Sequence, residues 1–148
     1  MATDIVDMDH VAIQVTDLEA SLAFYRDLLG MAVRDRDRYE RGDVPYVAVV
    51  AGGRHLHLVP VDEEAIDPTV DREGSGSDVP FRGDHLCLLV RSTEVDTRSE
   101  LESLLATIDD AGYEVEPGEP RKRYGAYGRD WAAYVRDPDG RRVELKLH

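Results

Sequence analysis

From Met8 to Val15 the residues alternate. His10, Ala12 and Gln14 fall on one face and Val11, Ile13 and Val15 on the other, the period of a half-buried strand. Thr16-Asp17 then offers a helix N-cap, and Leu18, Leu22, Tyr25, Leu28 and Leu29 follow at helical spacing before Gly30 closes the turn. Strands are predicted around Val33, over 46–51, and over 55–61 after a Gly52-Gly53 turn. Residues 62–82 are acidic, with Gly74-Ser75-Gly76, Pro68 and Pro80, and read as a connecting segment.

The first pattern then returns. Asp84-His85-Leu86-Cys87-Leu88-Leu89-Val90 matches Asp9-His10-Val11-Ala12-Ile13-Gln14-Val15 at an offset of 75. A helix is predicted over 94–111, with Leu101, Leu104, Leu105 and Ile108 on one face. Short strands follow over 113–116 and 130–136. Asp137-Pro138-Asp139-Gly140 is a turn, and 142–147 forms the last strand. Gly140 precedes Glu144 as Gly53 precedes His57, at an offset of 87. The fold class predicted is therefore α+β. Two β-α-β-β-β modules (8–61 and 83–148) form one domain, a cup-shaped mixed sheet with helices on its outer face.

The repeat singles out chemistry. His10 and His85 stand at matched places, as do His57 and Glu144, all on the strand faces away from the apolar positions. Neutral imidazoles and a carboxylate suit Zn, Ni, Mn or Fe(II), so His10, His57, His85 and Glu144 are candidate ligands for one divalent ion. Of these, His57 is the least constrained, because two His and one carboxylate already make a three-ligand site. Cys87 shares the face of His85 and is expected to be a buried small residue, whereas His55 is expected to face solvent.

Composition narrows the setting. The 148 residues carry 31 acids against 18 bases, a net charge of -13, which disfavours nucleic acid as a partner. Asp supplies 19 of the acids and Lys only two of the bases, so the surface suits a high-salt cytoplasm. A single cysteine excludes a disulfide framework, and no apolar run is long enough to span a membrane. The start, Met1-Ala2-Thr3-Asp4, lacks the features of a secretory signal, and a cytoplasmic location is expected. Against this acidity, residues 120–129 form a basic, glycine-containing loop. Arg123, Tyr127 and Arg129 there are candidates for binding an anionic group of a substrate.

Four stretches carry a resemblance to a known family. They are Asp9 to Leu18, Phe24-Tyr25-Arg26-Asp27-Leu28-Leu29-Gly30-Met31, Asp84-His85, and Val135 to Leu145 with its Asp-Pro-Asp-Gly turn. Over nearly its whole length the chain resembles the vicinal oxygen chelate superfamily: glyoxalase I, fosfomycin-resistance proteins, extradiol dioxygenases and bleomycin-resistance proteins. The glyoxalase-domain and fosfomycin-resistance branches are nearest. The resemblance implies metal ligands at His10, His85 and Glu144, with a fourth at His57 in glyoxalase-like members. It implies an enzyme in which the ion chelates two adjacent oxygens of a small substrate. A glyoxalase-like lyase or isomerase is favoured; a fosfomycin-type transferase or hydrolase and an extradiol dioxygenase are alternatives. Glu144 is the catalytic candidate, and a metal-bound hydroxide is the other possible base. The rival reading is a metal-free, bleomycin-resistance-type binding protein. Both readings imply a homodimer.

Overall fold

The computed structural model describes residues 8–62, 85–92 and 95–148, so the acidic connecting segment lies largely outside the described residues, as does Asp84. The chain divides into two units, Met1–Ala65 and Ile66–His148.

In the first unit, β1 (His10–Val15) leads into α1 (Leu18–Leu22), which continues as a π-helical stretch over Ala23–Leu28. The Asp17 carboxylate caps α1 by accepting from the Ala20 amide, one of the donors a helix start leaves unsatisfied. Then come β2 (Val33–Arg34), a short α2 (Arg36–Glu40), β3 (Val47–Ala51) and β4 (Arg54–Pro60). The sheet order is β1-β4-β3-β2, with β1 parallel to β4 and the other pairs antiparallel. Ile13, Val15, Leu22, Phe24, Tyr25, Val49 and Leu58 make its core. The sequence reading missed α2, which has no apolar stripe. It is tied instead by Arg36, which donates to Glu40 one turn on and pairs with Glu19 of α1.

The second unit repeats the plan with β5 (Leu86–Val90), α3 (Thr97–Asp110), β6 (Arg121–Gly125), β7 (Gly128–Arg136) and β8 (Arg142–Leu147). Its order, β5-β8-β7-β6, is that of the first sheet, again with one parallel pair, β5 and β8. Helix α3 starts at Thr97, where Asp96 caps the Ser99 amide, and buries Leu101, Leu105 and Ile108. On the sheet, Val135, Val143, Leu145 and Leu147 are buried. The strand expected over 113–116 reduces to one bridge, Val115 with Val135. The largest correction concerns 120–129, read as a loop: it is strand β6, the hairpin turn and the start of β7. Arg-Lys-Arg-Tyr-Gly has no apolar alternation, so the strand left no hydrophobic signal.

Register explains why the two halves match at two different offsets. His57 on β4 pairs with Ala12 on β1, and Glu144 on β8 pairs with Cys87 on β5. Ala12 and Cys87 are related by the offset of 75, His57 and Glu144 by that of 87. Each unit thus sets a donor on its fourth strand opposite the residue two beyond the first-strand histidine.

Candidate metal centre

In the first unit, β1 and β4 bring His10 and His57 together with ring centroids 4.1 Å apart and planes 14° from parallel. Tyr46 stacks on His57 as well, at 3.8 Å and 7°, so His57 belongs to a run of stacked rings with His10 and Tyr46. His57 is buried, and that burial, then the neighbouring His10 and His55, lowers its pKa. It is therefore a neutral imidazole at pH 7, the form that binds metal. His10 is half-exposed, and its Nδ1 lies 2.6 Å from Oδ1 of the exposed Asp9. A neutral His10 that donates from Nδ1 to this carboxylate has its Nε2 lone pair free, the orientation a ligating histidine needs. His55 is half-buried, 6.0 Å from the His57 ring.

In the second unit His85, just before β5, places Nε2 2.8 Å from Oε2 of Glu144. Glu144 is buried, and the His85 ring meets Tyr134 edge-on at 5.3 Å. Two donors bound to one ion at about 2.0–2.2 Å lie roughly 3 Å apart, so this pair has the spacing of adjacent ligands. In the metal-free pair a proton occupies that place.

These residues fit a divalent ion in donor chemistry: three imidazoles, one of them held neutral by burial, and one carboxylate. The fit in geometry is uneven. His85 and Glu144 are already spaced as ligands. The lone pairs of two nearly parallel stacked rings run side by side, so one of His10 and His57 must turn to share an ion. Among the described residues, no three or more His, Cys, Asp or Glu side chains are grouped so as to hold a metal ion.

The face of the second sheet that bears Glu144 also carries Arg142 and Lys146 on β8, Tyr134 on β7 and Arg123 on β6. The guanidinium carbons of Arg142 and Arg123 lie 3.8 Å and 4.9 Å from the Tyr134 ring centre. Of the three substrate candidates, only Arg123 is on this face. Arg129 pairs across the hairpin with Tyr124 at alternate positions, with its guanidinium over that ring, and Tyr127 is exposed at the hairpin end against His148. Cys87 is exposed rather than buried as expected. Packing around its sulfur, then the Glu144 carboxylate, pushes the thiol up to about 11.

Lys146 shares the face of Glu144 by strand alternation, and the sequence assigns it no role. Its side chain is 3% exposed and its Nζ is buried with no hydrogen-bond partner. A side chain at Gly125 would meet Lys146 Cε at 3.2 Å, so the hairpin passes close over the lysine stem. A buried cation without an acceptor costs stability. Lys146→Met, which keeps the stem and drops the charge, is expected to raise unfolding free energy by about 1–3 kcal/mol. Urea unfolding followed by Trp131 fluorescence checks this; a lower midpoint would mean the ammonium is satisfied.

A family model described as the glyoxalase/bleomycin resistance protein/dioxygenase superfamily matches residues 7–145. The chain belongs to this superfamily. Members of the glyoxalase superfamily bind small-molecule substrates, typically with a divalent metal ion, and often dimerise. A virulence protein of Salmonella typhimurium is 26% identical over 141 residues, covering 95% of this chain and 83% of that protein. Among solved structures, a glyoxalase/dioxygenase from Nostoc punctiforme aligns with a TM-score of 0.70 at 19% identity, over 97% of this chain and 92% of its own. A lactoylglutathione lyase from Agrobacterium tumefaciens aligns at 0.57 and 20% identity, over 98% and 96%. At these identities the structures establish the glyoxalase-superfamily fold. Among the described residues, no helix is long and apolar enough to cross a membrane.

Proposed function

We propose that the chain is a divalent-metal enzyme of the glyoxalase superfamily, the two units acting as one vicinal oxygen chelate domain. His10, His57, His85 and Glu144 would hold one Zn, Ni, Mn or Fe(II) ion. The observation that supports this reading is the matched register: in each unit the donor on the fourth strand, His57 or Glu144, lies opposite the residue two beyond the repeat's first histidine, Ala12 or Cys87. Chance placement of polar groups would not repeat across two sheets, and keeping them together costs desolvation that a metal offsets.

Bound there, the ion would act as a Lewis acid on two adjacent oxygens of the substrate. The rest falls to the chain. Asp9 orients His10 through Nδ1, and burial keeps His57 unprotonated. His85 Nε2 and Glu144 Oε2 lie 2.8 Å apart and would both be ligands when the ion is bound; Glu144, displaced from the ion, would then be the chain's own proton acceptor beside the substrate. Arg123 binds the substrate, with Tyr127 and Arg129 serving a larger one at the hairpin end. A glyoxalase-like lyase or isomerase is favoured because a fourth donor, His57, stands beside His10. The abundance of Asp and scarcity of Lys support a high-salt cytoplasm as its setting, and a homodimer as its assembly follows the family's habit.

The test is turnover. Protein loaded in turn with Zn, Ni, Mn and Fe(II) is assayed on glyoxalase-type substrates, then in fosfomycin-type and dioxygenase assays. Metal-dependent turnover lost in Glu144→Gln is the expected result. Tight binding of a small molecule by metal-free protein, with no turnover under any loading, would favour a sequestering protein instead.

A further inference from the structure

The second unit holds a cavity of about 280 Å³ between the 116–119 loop and the β6–β7 hairpin. Arg121, Arg123 and Arg142 line it, with Tyr134 and the acids Glu116 and Glu119. The acids are already engaged. Glu116 accepts from Arg136 and Arg142, and Glu119 accepts from Arg98. Arg121 and Arg123 have no carboxylate partner among the described residues, in a chain with 13 more acids than bases. The Nε of Arg123 is buried with no hydrogen-bond partner. A guanidinium that lies against an aromatic ring keeps its N–H donors in its own plane, directed past the ring rather than into it. Arg123, 4.9 Å above Tyr134, is in that position, with a buried donor lacking an acceptor in the wall of a concavity.

We propose that this cavity binds the oxyanion end of a small molecule, with Arg123 and Arg121 donating to it. Carboxylate, phosphate and phosphonate share the required chemistry, two oxygens spaced to meet a guanidinium fork. The volume is at the small end for ligand pockets, which suits one anionic group rather than a whole cofactor. Tyr134 lines this cavity on the sheet face that carries Glu144. It pairs with Glu144 in register and meets His85 edge-on, so an anion on Arg123 is bound next to the strand that carries the Glu144 carboxylate. The inference rests on the metal-enzyme reading only in making that anion part of the substrate. The binding is independent of metal and is measured without it.

The experiment titrates EDTA-treated full-length protein with inorganic phosphate, and separately with acetate, at constant ionic strength, by calorimetry and by NMR shifts. Saturable one-to-one binding of at least one probe is expected. It should weaken at least tenfold in Arg123→Gln, weaken in Arg121→Gln, and be unchanged in Arg41→Gln, a surface arginine of the other unit. Tighter binding of phosphate assigns a phosphoryl or phosphonate ligand; equal or tighter binding of acetate assigns a carboxylate. No saturable binding of either probe, or undiminished binding by both Arg123→Gln and Arg121→Gln, overturns the proposal. A metal-free protein that binds the anion while every metal loading fails would sink the metal reading and leave this one standing.

Discussion

Glu144→Gln is expected to lower divalent-metal affinity by at least about 100-fold, because loss of an outer partner of a ligand alone costs ~10–100-fold. The substitution is nearly isosteric and leaves a side-chain oxygen that can still accept from His85 Nε2, so the fold should persist. Equilibrium dialysis with Zn, beside a circular dichroism melt, separates the two effects. Unchanged affinity would remove Glu144 from the ligand set. Collapse of the fold would show that the His85–Glu144 pair is structural first.

The second large effect concerns stability. Asp137 and Arg141 are an ion pair with side chains 0% and 1% exposed, at the turn that aims β8. Asp137 also accepts from the backbone amides of Asp139 and Arg141, so one carboxylate closes the turn and neutralises a buried guanidinium. Removing one partner of a buried pair leaves an uncompensated charge, which costs about 3–5 kcal/mol. Asp137→Ala is therefore expected to remove a large part of a stability that totals about 5–15 kcal/mol in ordinary domains. Trp131, the chain's one tryptophan, lies on β7 of the same unit and reports the shift in urea. A loss under about 1 kcal/mol would mean water reaches the pair.

That turn was legible in the sequence, because Asp-Pro-Asp-Gly has one good use. So were the repeat, the last strand and the histidine and glutamate positions, since strand alternation fixes which residues share a face. What escaped has physical reasons. Strand β6 is three cations followed by Tyr and Gly, and its contacts include guanidinium-to-ring contacts, which no hydrophobic period reports. Helix α2 is held by ion pairs of Arg36 with acids on two helices. The burial of Lys146 was not legible from strand alternation; the hairpin runs close to its stem at Gly125. Arg123, Tyr127 and Arg129 formed one basic segment in sequence, and the pairing of β6 with β7 separates Arg123 from the other two.

The central claim is that the matched histidines and glutamate of the repeat are ligands of a divalent ion, and metal stoichiometry tests it most directly. The metal content of protein purified in high salt is measured for the wild type, His10→Ala and His85→Ala. The account predicts about one Zn, Ni, Mn or Fe per chain in the wild type and loss of that ion in each variant. His57→Ala, run beside them, distinguishes a four-ligand site from a three-ligand one. A wild type that takes up no metal under any loading, or an ion that survives both His10→Ala and His85→Ala, would contradict the account.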